Sequence, residues 1–139
     1  MKNKVLVFGS FDYIHPGHLD FFRQAKSLGD ELHVAIGLDQ TIEEIKGDRP
    51  WKSQGERLQE VQNLEIVDKA YLGYADDKLK IIGEVKPDII ALGYDQKKFT
   101  EHLEDELKKR GFTMKIVRLK PHHPEKFKSS IVKKEMSSE

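Results

Sequence analysis

The chain has 139 residues, enough for one domain spanning residues 1–139 and too few for a separate substrate domain. Lys plus Arg total 24 and Asp plus Glu total 24, which argues against a generic nucleic-acid or anionic-membrane coat. Cysteine is absent, excluding a disulfide, a thiolate metal site and a Cys nucleophile.

In chain order, the first element is a buried strand at Val5–Phe8, closed by Gly9. That apolar run is too short for a signal-peptide core, and nothing later approaches a membrane span of about 20 apolar residues. The expectation is a soluble cytoplasmic protein with no membrane or nucleic-acid partner. Phe21, Phe22, Ala25 and Leu28 then share one helical face, with Gly29 predicted as the C′ stop. A second strand is expected at Leu32–Leu38 and a third at Asp88–Leu92, with weaker candidates at Val67–Leu72 and Thr113–Leu119. Helical patterns cover about Gly55–Asn63, Asp77–Val85 and Thr100–Arg110. Strands alternating with helices predict an α/β, Rossmann-like three-layer fold, a five-stranded parallel sheet with helices on both faces. Ligands in such a fold bind beyond the carboxyl ends of the strands.

Charge is uneven along the chain. Between Lys108 and Lys134 there are ten Lys or Arg residues and one acid, Glu125. A run of this kind is a solvated surface with a tail, or a basic segment that returns over the strand ends to meet a polyanion.

The segment from Gly9 to His18 follows the first strand and opens the first helix. A phosphate can be held there, because first-turn N–H groups are unpaired and the helix dipole is positive. Gly9 permits a tight exit, Pro16 presets the helix start, and Gly17 allows a ligand close to the backbone. His15 and His18 lie three apart, so one helical turn brings both imidazoles to one side. Helix capping or core packing of either histidine, and a zinc pair, are the competing readings. Without nearby Cys or a third ligand the zinc pair is poorly supported, and His122 and His123 read as a proline-flanked loop.

These residues, Gly9-Ser-Phe-Asp with His15-Pro-Gly-His18, resemble the signature of the HxGH nucleotidyltransferase (cytidylyltransferase-like) superfamily. The resemblance runs over nearly the whole chain and is nearest to archaeal-type FAD synthases, next to glycerol-3-phosphate cytidylyltransferases. Supporting segments run from Lys26 to Glu31, Ile45 to Pro50, Val67 to Lys69, Lys86 to Gln96 and Phe127 to Ser130.

The resemblance implies transfer of a nucleoside monophosphate from a triphosphate to a phosphorylated acceptor, with pyrophosphate expelled. AMP from ATP to FMN is the first expectation. CTP with glycerol 3-phosphate is the second, and a non-catalytic nucleotide-binding module the third. His15 and His18 would donate to phosphate oxygens, and Ser10 and Phe11 would pass their backbone along the nucleotide. The triphosphate would hold Mg2+, helped by Asp12 if that carboxylate does not simply cap the turn. Lys46, Arg49 and Arg57 match positions that reach phosphate in the family, although Asp48 stands where a basic residue is common. Arg57 reads equally as a surface helix residue. Asp95 would accept from the nucleoside, or merely sit in a turn. Ser129 and Ser130 match a Ser/Thr-rich turn that binds the triphosphate, here without the arginine of the cytidylyltransferase version. Trp51, Tyr94 or Phe99 could line a slot for a flavin ring, or serve ordinary packing. A homodimer is expected on the same family grounds.

Overall fold

The computed structural model describes residues 3–12, 14–74, 77, 79–93 and 103–120. Five parallel strands form one sheet in the order β3-β2-β1-β4-β5. They are β1 Lys4–Gly9, β2 Glu31–Ile36, β3 Lys69–Leu72, β4 Ile89–Leu92 and β5 Lys115–Arg118. The helices are α1 Pro16–Lys26, α2 Asp39–Lys46, α3 Gln54–Gln62, α4 Lys80–Val85 and α5 Leu103–Lys109. The strand order reverses at β1, which pairs with β2 on one side and β4 on the other. The carboxyl end of β1 is therefore the switch point where doubly wound sheets bind ligands.

Alternation along the strands supplies both faces of the sheet. Val5, Val7, Leu32, Val34 and Ile36 pack with Phe22 and Ala25 of α1 and Val61 of α3. Leu6, Ala35, Ile90 and Leu92 pack with Ile81, Ile82 and Val85 of α4 and Leu103 and Leu107 of α5. A three-layer α/β fold is the outcome, as expected for strands buried on both sides. No helix among the described residues is long and apolar enough to cross a membrane.

Two local expectations change. Gly29 is not a left-handed C′ stop: α1 ends at Lys26, with Ser27 as C-cap in the right-handed helical region at φ −67°. A Cβ on Gly29 would instead lie 2.8 Å from the Asn3 carbonyl oxygen, so the glycine permits close passage of two chain segments. The second strand stops at Ile36 rather than Leu38, and the residues after it form α2. That helix carries few apolar positions, and its N-cap, Leu38, makes no side-chain capping bond, so the usual start signals are missing. By contrast Ser53 and Glu56 form a reciprocal capping box at the start of α3.

Aspartates fasten the amino end of the sheet. Asp68 Oδ2 accepts from the Leu32 amide at 2.7 Å and from Lys26 Nζ at 2.6 Å. Asp88 Oδ2 accepts from the Lys4 amide at 2.9 Å, and Asp30 Oδ2 from the Asn3 amide at 2.7 Å. The family-like segments around Val67–Lys69 and Lys86–Asp88 thus lie at the end of the sheet opposite the histidine turn.

Candidate active site at the carboxyl end of the first strand

The exit from β1 is shaped by Phe11. Its backbone takes a positive φ of 48°, unusual for a bulky residue and costing on the order of 1–3 kcal/mol. The ring offsets that strain by burial, at 4% exposure, against Phe21 and Phe22. A Cβ on Gly9 would lie 2.5 Å from Phe11 Cζ, so only glycine leaves room for the ring. Phe11 also meets His18 edge-on, with centroids 5.2 Å apart. Its side chain is a floor for the histidine, beside the expected backbone role.

His15 is the N-cap of α1, and its Nδ1 accepts a hydrogen bond from the Gly17 amide at 3.1 Å. An accepting Nδ1 carries no proton, so the neutral ring holds its proton on Nε2. The His15 carbonyl accepts from the amides of His18 and Leu19 at 2.9 and 3.1 Å. The first-turn amides expected to await a phosphate are therefore taken by His15 itself. The imidazoles of His15 and His18 stack with centroids 3.8 Å apart, and His15 Nε2 and His18 Nδ1 are both buried. A Cβ on Gly17 would come within 2.9 Å of the His15 ring, so the glycine makes the stacked arrangement possible. Pro16 is the first helical residue, as its fixed φ favours.

Asp12 and Arg57 build the wall beside this turn. Asp12 Oδ2 accepts from the Trp51 amide at 2.7 Å and Oδ1 from the Lys52 amide at 2.8 Å. Both oxygens thus clamp the loop before α3, and no group of three or more His, Cys, Asp or Glu among the described residues could hold a metal. This donor set does not fit a resident metal ion. Arg57 is neither a surface residue nor displayed to a phosphate: it is 0% exposed. Its Nη1 donates to the Ser10 carbonyl at 2.8 Å, Nε to the Lys52 carbonyl at 3.0 Å, and Nη2 to Asp39 Oδ1 at 2.7 Å. One buried guanidinium, balanced by one carboxylate, thereby joins the β1 exit, the α2 start and the loop before α3.

Lys46 is exposed in the last turn of α2, and Arg49 Nε pairs with Glu43 Oε1 at 3.0 Å on the surface. Asp95, Ser129, Ser130, Tyr94, Phe99, His122 and His123 lie outside the described residues. Two participants were not singled out in the sequence. Asp39 completes the Arg57 cluster, and its signal was an acid just past a strand's carboxyl end. Arg118, ending β5, donates from Nη1 to the Gly93 carbonyl at 2.8 Å just past β4. Where the basic segment leaves β5, Gln24 of α1 holds Lys120 by a reciprocal pair of bonds, 3.0 Å from the Lys120 amide and 2.9 Å to its carbonyl.

Known proteins share this architecture. The cytidylyltransferase-like family matches residues 6–135. An FAD synthase of Aciduliprofundum boonei is 45% identical over 119 residues, covering 86% of this chain and 79% of that one. An FAD synthase of Thermoplasma volcanium is 40% identical over 133 residues, covering 96% and 93% of the two chains. A crystal structure described as a lipopolysaccharide core biosynthesis protein from Thermoplasma volcanium superposes with a TM-score of 0.84 at 40% identity, covering 88% of this chain and all of that one. With the parallel sheet, the switch point at β1 and the paired histidines at its exit, the chain belongs to the cytidylyltransferase-like family of nucleotidyltransferases.

Proposed function

We propose that this protein is an FMN adenylyltransferase, joining AMP from ATP to FMN to give FAD and pyrophosphate. The reading is carried by the stacked His15–His18 pair at the β1 exit, in a chain similar over most of its length to archaeal FAD synthases. An oxygen of the FMN phosphate attacks the α-phosphorus of ATP in line. The bond from that phosphorus to the bridging oxygen breaks, and the electron pair leaves with pyrophosphate. Such a step asks the protein for positioning and charge stabilisation, with no covalent enzyme intermediate.

In this reading His15 donates through Nε2 as a neutral ring, since protonating Nδ1 would cost its bond to the Gly17 amide. His18, stacked on it and seated on Phe11, supplies the second donor. Ser10 borders the nucleotide through a backbone that Arg57 holds, so Arg57 positions the phosphate site without touching phosphate. Asp95 and the Ser129–Ser130 turn remain proposed contacts for the nucleoside and the triphosphate, and Lys46 and Arg49 proposed outer contacts for phosphate. Mg2+ would arrive on the triphosphate, consistent with Asp12 being committed to two amides. The working form is proposed to be a cytoplasmic homodimer.

The test is pyrophosphate release with ATP or CTP, each paired with FMN or glycerol 3-phosphate. Release with ATP and FMN is expected, and His18→Ala should lower kcat by about 10²–10³, the scale of a lost oxyanion donor. Release with CTP and glycerol 3-phosphate alone would move the assignment to cytidylyl transfer. Nucleotide binding without turnover of any pair would leave a binding module.

A further inference from the structure

The chain leaves β5 beside α1, and three successive residues are tied down where it does so. Arg118 Nη1 donates to the Gly93 carbonyl at 2.8 Å, and the Leu119 amide to the Leu92 carbonyl at 2.8 Å. The Leu119 side chain is buried in the core that includes Phe22 and Ala25 of α1. Gln24 then grips Lys120: Oε1 accepts from the Lys120 amide at 3.0 Å, and Nε2 donates to its carbonyl at 2.9 Å. Nε2 also donates to Asp20 Oδ2 at 2.8 Å, so two acceptors fix which end of the side-chain amide is the donor. Gln24 thereby stands in for the peptide group of a neighbouring strand. Lys120 is exposed, and water would satisfy the same backbone groups there. The two bonds therefore add little to stability; what they set is the direction in which the chain departs.

We infer that Gln24 is a positioning residue for ATP, aiming the segment beyond Lys120 so that Ser129 and Ser130 meet the triphosphate. The inference rests on the role proposed above for those two serines and adds the residue that directs them. Pro16, Asp20 and Gln24 are spaced four apart, so one flank of α1 runs from the clasp to the histidine turn. Gln24 lies nine residues from His15, about 14 Å of helix rise. Ser129 lies nine residues beyond Lys120, a span of up to about 30 Å when extended. The segment is thus long enough to return along that flank with slack. Up to Ser130 it carries Lys126 and Lys128, and Lys133 and Lys134 follow, against the single acid Glu125. That balance suits a triphosphate. Fixing the origin of the segment also limits the directions open to it, so less ordering entropy is lost when ATP binds.

The experiment compares the wild-type protein, Gln24→Met, the double variant Ser129→Ala/Ser130→Ala, and all three substitutions together. Methionine keeps the length and helix propensity of glutamine but can form neither bond to Lys120. Direct titration of ATP and steady-state kinetics in ATP and FMN are the readouts, with the melting temperature as a check on folding. Gln24→Met should raise the Kd and KM for ATP about 10-fold, because a smaller fraction of molecules holds the turn in place before ATP arrives. Saturating ATP restores that arrangement, so kcat and the KM for FMN should stay within about 2-fold. Once the serines are gone the clasp has nothing left to aim, so the combined variant should bind ATP no more weakly than the serine variant. If the serine variant loses ATP affinity and Gln24→Met does not, the clasp is wrong and the role of the serines stands. Losses that multiply in the combined variant would show that Gln24 acts independently of the turn, which also overturns the inference. So would a lower melting temperature with equal loss of ATP and FMN affinity, the mark of a general support. A serine variant that binds ATP as tightly as the wild type removes the role of the serines and the inference with it.

Discussion

At the scale of single residues, the site depends on where protons and small side chains sit. The Gly17 amide determines that His15 presents Nε2–H, and the missing Cβ at Gly17 leaves space for the imidazole. Gly17→Ala separates these effects from folding. Alanine is the better helix former by about 1 kcal/mol, so the melting temperature should hold or rise. The added methyl would meet His15 Cε1 at 2.9 Å and displace the ring. A misplacement near 1 Å lowers turnover by about 10²-fold, so kcat should fall steeply while stability does not. A Gly17→Ala enzyme with wild-type kcat would show that the stacked pair is not the reacting arrangement.

At the scale of elements, Arg57 is the joint between β1, α2 and the entry to α3. Its guanidinium satisfies two carbonyls and one carboxylate with no exposure to water. Lysine keeps the charge but cannot reproduce the planar fork, so Arg57→Lys leaves buried acceptors unpaired. We expect a loss of about 2–4 kcal/mol, within the range for breaking a buried pair, read as a lower urea midpoint. A loss under about 0.5 kcal/mol would place Arg57 with ordinary surface substitutions and remove its role as a joint. The same cluster accounts for α2. That helix lacks a strong start signal of its own, and its first residue, Asp39, is held by Arg57 and by Gln54 Oε1, which accepts from the Asp39 amide at 2.9 Å.

At the scale of the whole molecule, the two ends of the sheet divide the work. The carboxyl end carries the histidine turn, and the amino end carries aspartates that tie neighbouring segments together. Burial alone would raise the Asp68 carboxyl, but the bonds from Lys26 and the Leu32 amide outweigh it and hold Asp68 below the ordinary value of 3.8. A carboxylate lowered in the folded state stabilises the protein above its unfolded value and loses that contribution as pH falls through the folded one. Wild-type protein should therefore melt above Asp68→Asn at pH 6, and the gap should close as the pH drops below 3.8. A gap that persists unchanged at pH 2 would assign it to packing instead of charge.

The division between sequence and tertiary structure follows the range of the interactions. Buried strands, amphipathic helices and the histidine turn were all legible, because each is written in the spacing of a few neighbouring residues. With them came the parallel α/β sheet and the nucleotidyltransferase resemblance. The balanced charge and the missing cysteine had already narrowed the chemistry. What the tertiary structure decided was which partner each polar group takes. Asp12 turned from a possible metal ligand into a loop clamp through amides 39 and 40 residues away. Arg57 turned from a phosphate or surface residue into a buried joint through a carbonyl 47 residues away. Gly29 serves a close passage beside Asn3 instead of a helix stop. Periodicity encodes which face of an element is apolar, but hydrogen-bond partners distant along the chain exist only once the sheet has brought them together.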